Sequence, residues 1–294
     1  MGEGGEKMDL FLQQIFNGLT LGSVYTLVAI GLTLVFGILH IPNFAHGALY
    51  LVGGYVTLMV MKATGVHYFV AILASIAVVA LLAVLMERLV FHPLRDSPPI
   101  HDKIAAIGLV LFFEALVQFI WGTEYLRMLT PFDNNISFAG ISMTSQRVLI
   151  IAVAVVVVFL LTLFLKKTMI GASIMAMAQN REGAFLVGIN ANAVAMMTFA
   201  ISGALAAIAA SLASPINLVF PAMGHLVILK AFVVVIIGGM GSIPGAIVAG
   251  LILGLTESIG ATYISNDYKD MIAFLLLIII MTVRPKGLFA KGVY

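Results

Sequence analysis

Apolar runs of about 20 residues recur from one end of this chain to the other, the length a helix needs to cross ~30 Å of hydrocarbon. They occupy residues 10–39, 46–61, 69–91, 104–121, 148–165, 193–212, 226–237, 246–260 and 271–283. Polar residues collect between the runs instead of alternating within them, which predicts membrane helices and leaves no room for an ordinary soluble domain. The first run is long for one upright helix and the seventh and eighth are short, so some spans tilt or break inside the bilayer. The expected fold is an all-α polytopic membrane protein. It is a single domain over residues 1–294, a bundle of about eight to ten transmembrane or re-entrant helices, with residues 1–9 as an N-terminal extension.

Lys and Arg in the short connections set the orientation. Arg88 sits at the end of the third run with Arg95 and Lys103 between it and the fourth, Lys166, Lys167 and Arg181 follow the fifth, and Arg284, Lys286 and Lys291 close the chain. These three places are predicted to be cytoplasmic, which makes residues 284–294 a cytoplasmic tail. Residues 122–147 carry Arg127 and Arg147, 213–225 carry no Lys or Arg, and 261–270 carry only Lys269. These face outward. An even number of crossings must then separate residue 192 from the tail, so residues 226–260 form two short crossings or a re-entrant pair. The same parity puts the N-terminus outside, with Lys62 as weak opposition.

Composition agrees with the pattern. The chain is 62% hydrophobic and 10% charged, against roughly 45–50% apolar in soluble domains. Its net charge is +2, and the basic residues sit at span ends instead of forming a stripe, which argues against nucleic-acid binding. Without cysteine there is no disulfide framework, thiolate metal site or cysteine nucleophile. The start, MGEGGEKMDL, lacks the basic n-region and cleavage site of a secretory signal peptide. Met8 is as good an initiator as Met1.

Two segments share Gly-x-x-x-Ile-Pro: Gly37 to Pro42 and Gly239 to Pro244. Each follows a run rich in β-branched residues and precedes a Gly-bearing apolar segment, which suggests an internal duplication. Proline removes a helix donor and glycine relaxes φ, so both sites should interrupt helices. Paired interruptions in two halves point to a transport pathway, with Gly37, Pro42, Asn43, His46, Gly47, Gly239, Gly241, Pro244 and Gly245 as its candidates. The plainer reading is a pair of cytoplasmic turns.

The chain has no G-x-x-x-x-G-K-[ST], H-E-x-x-H, G-x-S-x-G or EF-hand pattern, so neither nucleotide binding through a P-loop nor a dedicated enzyme is expected. His40 and His46 flank Pro42 as a weak metal signal and read as hydrogen-bonded structural histidines; no metal site is expected. Glu114 lies in the middle of LVLFFEALVQF with Gln118 one turn on, and an ionisable group there is a functional candidate by default. A structural hydrogen bond toward the bundle interior is the preferred role, because the fourth run offers no second acid or histidine. Lys230 is expected to snorkel outward, and Glu257 to anchor or pack its helix. Gly203, Ala207 and Ser211 form a small-residue packing face.

The longest polar-bearing interruption after a span is residues 166–192. It runs from small residues and methionines (GASIMAMA, 171–178) through Gln179, Asn180, Arg181 and Glu182 to an apolar stretch ending near Gly188 and Ile189. Small residues and methionines make an adaptable contact surface. So short a helix cannot bury its apolar face alone, and packs on the bundle base or in a partner's groove.

These residues also carry a resemblance. AMAQNREGAFLVGIN (176–190) is similar to the cytoplasmic coupling loop of bacterial ABC importer permeases. IPNFAHG (41–47), KAFVVVIIGGMGSIPGAIVAGLILGLTE (230–257) and KDMIAFLLLIIIMTVRPKGLF (269–289) resemble LivH-type permeases of branched-chain amino acid transporters, and the similarity extends from Asp9 to Phe289. The loop departs from the usual Glu-Ala-Ala form, with Arg181-Glu182-Gly183-Ala184 in its place. The resemblance implies an importer in the bacterial inner membrane built from this chain, a second homologous permease, two ATPase subunits and a periplasmic solute-binding protein. ATP and Mg would sit on the partners, with no cofactor in this chain. Ala178, Gln179, Asn180, Arg181, Glu182, Gly188 and Ile189 would meet the ATPase. Leucine, isoleucine or valine would be carried by alternating access, with urea or short amides as the alternative cargo. Outside that family, an ion-coupled transporter using Glu114 and a non-transporting structural or receptor-like subunit are the rival readings.

Overall fold

The computed structural model describes residues 3–39, 43–95, 97–138 and 141–289. Its helices are α1 (Glu3–Leu39), α2 (His46–Thr64), α3 (Tyr68–Leu94), α4 (Pro99–Trp121), α5 (Ser145–Lys167), α6 (Met169–Gln179), α7 (Arg181–Leu186), α8 (Ala191–Ala213), α9 (Met223–Gly238), α10 (Ile243–Tyr263) and α11 (Lys269–Val283). Seven of these are long and apolar enough to cross a membrane. The shorter α9 and α11, of 16 and 15 residues, bring the bundle within the expected eight to ten. Residues 226–260 form two helices joined by a turn at 239–242, as parity requires.

The long first run stays one helix. α1 has 37 residues, a rod of about 55 Å, so it extends beyond the hydrocarbon instead of breaking in it. Residues 3–9, set apart in the sequence as an extension, continue this helix. α1 is also the axis of the bundle: 83% of its membrane window is enclosed by protein, against 22% for α4 and for α5. The outer helices turn Leu111, Phe119, Val155 and Phe159 outward, where hydrocarbon would surround them.

Glycine sets how closely α1 meets α10. A Cβ on Gly22 would lie 2.9 Å from the Gly250 carbonyl oxygen, and one on Gly18 would lie 2.7 Å from Leu255 Cα. Thr26 faces Gly250 one turn further along α1. Numbers rise along one helix as they fall along the other, so the pair is antiparallel. Small residues let the backbones touch where no hydrophobic force drives helices together in lipid. The small face of α8 works the same way. Gly203 lies against Val79 and Ala83 of α3, Ala207 against Gly53 of α2, and the Ser211 hydroxyl is 2.6 Å from that of Thr57.

In α3 the turn Glu87–Phe91 is π-helical. Pro93 follows two residues later, and its ring would clash with the carbonyl of Leu89 in a regular helix. Widening the turn relieves that clash, and the His92 N–H bonds the Glu87 carbonyl.

The connections separate into two groups. At one end Arg95 Nη1 donates to Asn192 Oδ1 at 2.6 Å, Gly37 faces Ala178, and the Leu288 and Phe289 N–H groups bond the carbonyls of Ile237 and Gly238. At the other, a hairpin of β1 (Asn135–Phe138) and β2 (Ile141–Thr144) exchanges two hydrogen bonds with Gln13 through Ser142. Leu126 also bridges Val219 there. Loops predicted to share a side of the membrane therefore meet one another in space.

Candidate coupling surface and polar sites

Three side-chain caps shape residues 166–192. Thr168 accepts from Gly171 N (3.0 Å) and starts α6. Asn180 leaves the helix with extended backbone, accepts from Gly183 N (2.9 Å) and starts α7. Asn190 accepts from Asn192 N and Ala193 N and starts α8. Each cap satisfies backbone donors that a helix start leaves open. Gly188, at φ 84°, ends α7 in the left-handed region that glycine tolerates. A single polar island thus becomes two short helices meeting at Asn180.

Ile174, Met177 and Ala184 are buried against the bundle. Gln179, Asn180, Arg181, Glu182 and Gly188 are exposed, while Ala178 and Ile189 are half-buried. Beside them Phe185, Leu186 and Val187 are 68%, 88% and 77% exposed. Three adjacent large apolar residues at a loop end, next to exposed Arg181 and Glu182, form an exposed apolar knob. The sequence reading named the polar residues and missed this knob, because the run looked like the entry to the next span.

The two Gly-x-x-x-Ile-Pro segments lie where α1 gives way to α2 and where α9 turns into α10, at the same end as this surface. Gly37 sits in the last turn of α1, with its Cβ position 3.4 Å from Ala178 Cβ. Pro42 and His40 fall outside the described residues. Asn43 is buried and accepts from Ala45 N at 3.0 Å. His46 is wholly enclosed, with Nε2 3.0 Å from the Val28 carbonyl and Nδ1 3.1 Å from Ser202 Oγ. Gly47 meets Gly224 of α9 backbone to backbone. In the second break Gly239 and Gly241 adopt φ 98° and 83°, Pro244 opens α10, and Gly245 closes against Gly238. The structure brings Gly37 to α6, and it brings Gly239 to the tail at Gly287.

Ionisable groups inside the bundle pair across the fold. Glu114 is partly buried and lies 2.6 Å from His225 Nε2 at the start of α9; Gln118 is exposed. The histidine missing from the fourth run comes from 111 residues away. Lys230 does not snorkel outward: it is 7% exposed and bridges Glu257 of α10 and, at 2.9 Å, Asp270 of α11. Tyr25 of α1 donates to the other Glu257 oxygen at 2.8 Å. The buried Glu257 explains the inward turn, with the exposed Asp270 as a second carboxylate in reach, since an ammonium so placed gains more there than at a lipid surface. Beside Glu257 a cavity of ≈ 250 Å³ opens at the hairpin end, lined among others by Gln14, Asn17, Arg147, Asn217 and Lys269. Among the described residues no group of acids and histidines is placed to hold a metal ion.

Comparison with known proteins places these features in a family. Residues 14–281 match the family model described as branched-chain amino acid transport system, permease component. The chain is 36% identical over 295 residues to the high-affinity branched-chain amino acid transport system permease protein BraD of Pseudomonas aeruginosa, covering 96% of each. It is 35% identical over 301 residues to the corresponding protein LivH of Escherichia coli K12, covering 97% of each. It is 30% identical to the probable permease LivH of Methanocaldococcus jannaschii, over 97% of this chain and 92% of that one. Among solved structures, PsaBC from Streptococcus pneumoniae in complex with Fab shares the fold, with TM-score 0.50 and 13% identity, over 97% of this chain and 95% of that chain.

Proposed function

This chain belongs to the permease-component family of branched-chain amino acid transport systems, and from that premise we propose that it is the membrane-spanning permease of an ATP-driven importer for leucine, isoleucine and valine. The observation that carries the reading is identity of 35–36% to such permeases over essentially the whole chain. The permease works in the inner membrane with the coupling segment and tail in the cytoplasm and the N-terminus outside, an orientation supported by the basic loops. It pairs with a second, homologous permease. Two ATPase subunits hold ATP and Mg, and a solute-binding protein delivers the amino acid.

In this reading the exposed face of α6 and α7 docks on an ATPase. Phe185, Leu186 and Val187 fill an apolar groove while Gln179 to Glu182 and Gly188 fix its register. Closure of the ATPase pair moves α6, and its contact at Gly37 passes the displacement to α1. The breaks at Gly37–Pro42 and Gly239–Pro244 absorb the change in angle, with Asn43, His46 and Gly47 beside the first and Gly241 and Gly245 beside the second. Substrate crosses as the pathway alternates between its two openings.

Co-purification and uptake test this. Phe185→Asp, Arg181→Glu and Glu182→Arg are each expected to reduce ATPase co-purification and leucine uptake in proteoliposomes without loss of folded permease. Wild-type assembly and uptake in all three would overturn the coupling assignment. The Glu114–His225 pair favours a second reading, a proton-coupled carrier. Uptake that survives ATP depletion and collapses with the proton gradient would select it.

A further inference from the structure

The ≈ 250 Å³ cavity at the hairpin end has unbalanced chemistry. α1 contributes Gln14 and Asn17, α5 Arg147, the loop after α8 Asn217, α10 Glu257, and α11 Lys269. Its acid is already matched, because Glu257 receives Lys230 on one oxygen and Tyr25 on the other. Its two lining cations are not: among the described residues neither Arg147 nor Lys269 has an acidic partner. Arg147 is also only partly exposed. A guanidinium drawn out of water without a carboxylate is costly unless an anion completes it. Asn17 lines the same cavity, and its Oδ1 is a buried acceptor with no hydrogen-bond partner. Leu21, Ile216 and Ala261 add apolar wall.

We propose that this cavity receives the substrate as an α-amino acid zwitterion on the outer side of the permease. The carboxylate lies between Arg147 and Lys269, where a fork of guanidinium donors suits it. The ammonium donates to Asn17 Oδ1, and the aliphatic side chain rests on Leu21 and Ile216. The volume equals about eight water molecules at ~30 Å³ each, which suits a small molecule and not a peptide. This rests on the importer reading above and adds to it a receiving site remote from both helix breaks. A phospholipid headgroup with an ammonium and a phosphate offers the same chemistry, and the experiment separates the two.

Binding of radiolabelled L-leucine is measured on the assembled transporter in lipid nanodiscs without the solute-binding protein, with leucinamide as the probe that lacks a carboxylate. Wild type is expected to bind leucine at least tenfold more tightly than leucinamide. Arg147→Gln and Lys269→Gln should each weaken leucine about tenfold and leave leucinamide unchanged, and Arg147→Lys should recover most of the loss. Equal affinity for the two probes, or full leucine affinity in both Gln variants, overturns the proposal. So does phospholipid that co-purifies with wild type and is lost in Arg147→Gln while leucine fails to bind either. Leucine uptake by the complete wild-type system is scored separately. Uptake with an unaltered Arg147→Gln affinity rejects the cavity alone, whereas no uptake of any branched-chain amino acid rejects the importer reading with it.

Discussion

Replacing Gly254 with alanine tests whether backbone contact between α1 and α10 holds the bundle together. A Cβ at this position would lie 2.5 Å from the carbonyl oxygen of Gly18 and 2.5 Å from Gly22 Cα, where ordinary contact is 3.4–4 Å. Every obstacle is main chain of a helix that is itself enclosed, so no side chain can swing aside. The helices must part by about 1 Å, a gap that forfeits up to about half of each dispersion contact along the seam. Overpacking typically costs ~1–3 kcal/mol, and rigid walls on both sides put this site at about 3 kcal/mol. Two other glycines calibrate it. Gly108 on α4 has nothing within 4 Å of its Cβ position, so Gly108→Ala should gain roughly 0.5–1 kcal/mol of helix propensity. At Gly260 the nearest obstacle is the tip of the Ile272 side chain, which can rotate, so Gly260→Ala should fall between. The assay is the fraction of monodisperse protein left after heating a detergent-solubilised series. The expected order of midpoints is Gly108→Ala above wild type, then Gly260→Ala, then Gly254→Ala. A Gly254→Ala protein as stable as Gly108→Ala would refute the seam as a backbone contact.

Other changes probe the charged and capping groups. Lys230→Met leaves the Glu257 carboxylate buried with only Tyr25, and should cost about 3–5 kcal/mol in thermal stability, with Lys230→Met/Glu257→Leu recovering most of it. Arg95→Ala removes both the ion pair to the 1%-exposed Glu87 and the bond to Asn192; it should destabilise by several kcal/mol, and adding Glu87→Leu should restore heat resistance. Asn190→Ala deletes the acceptor for two N–H groups at the start of α8 and should cost about 1 kcal/mol, read as a lower thermal midpoint and faster amide exchange at Asn192 and Ala193.

Much of this was legible in the sequence, because a bilayer leaves hydropathy little freedom. Twenty apolar residues must be a span, and clustered lysines and arginines sort the ends, so element order and the pairing of residues 226–260 into two crossings emerged before any contact was known. The break residues could be listed from glycine and proline alone. Interaction between distant residues was not legible. Glu114 looked solitary because His225 lies on another helix, and Lys230 looked like a snorkelling lysine because Glu257 is 27 residues away. Helical phase could have hinted at more. Gly18, Gly22 and Thr26 recur at four-residue spacing, as do Gly250 and Gly254, and a small-residue ladder on two helices is a signal for close packing. The apolar knob of Phe185, Leu186 and Val187 was hidden for a different reason. Hydropathy does not distinguish residues bound for lipid from apolar residues left exposed on a loop.

The two breaks are not equivalent once their neighbours are known. Gly37 touches Ala178 of α6, so displacement of that short helix acts on the end of α1 directly. The turn at Gly239 has a different holder, the tail, through Leu288 to Ile237 and Gly287 to Gly239. What joins the breaks is the packing of each first helix on the other pair's second. α1 meets α10 along Gly18, Gly22 and Thr26, and α9 meets α2 at Gly47 and Gly224. Close-packed backbones move as one body, because parting them loses contact along the whole seam. A push at Gly37 therefore carries α10 with α1, and the angle opened between α10 and the tail-held end of α9 falls on residues 239–242. Those four residues include two glycines at positive φ, a backbone suited to absorb it.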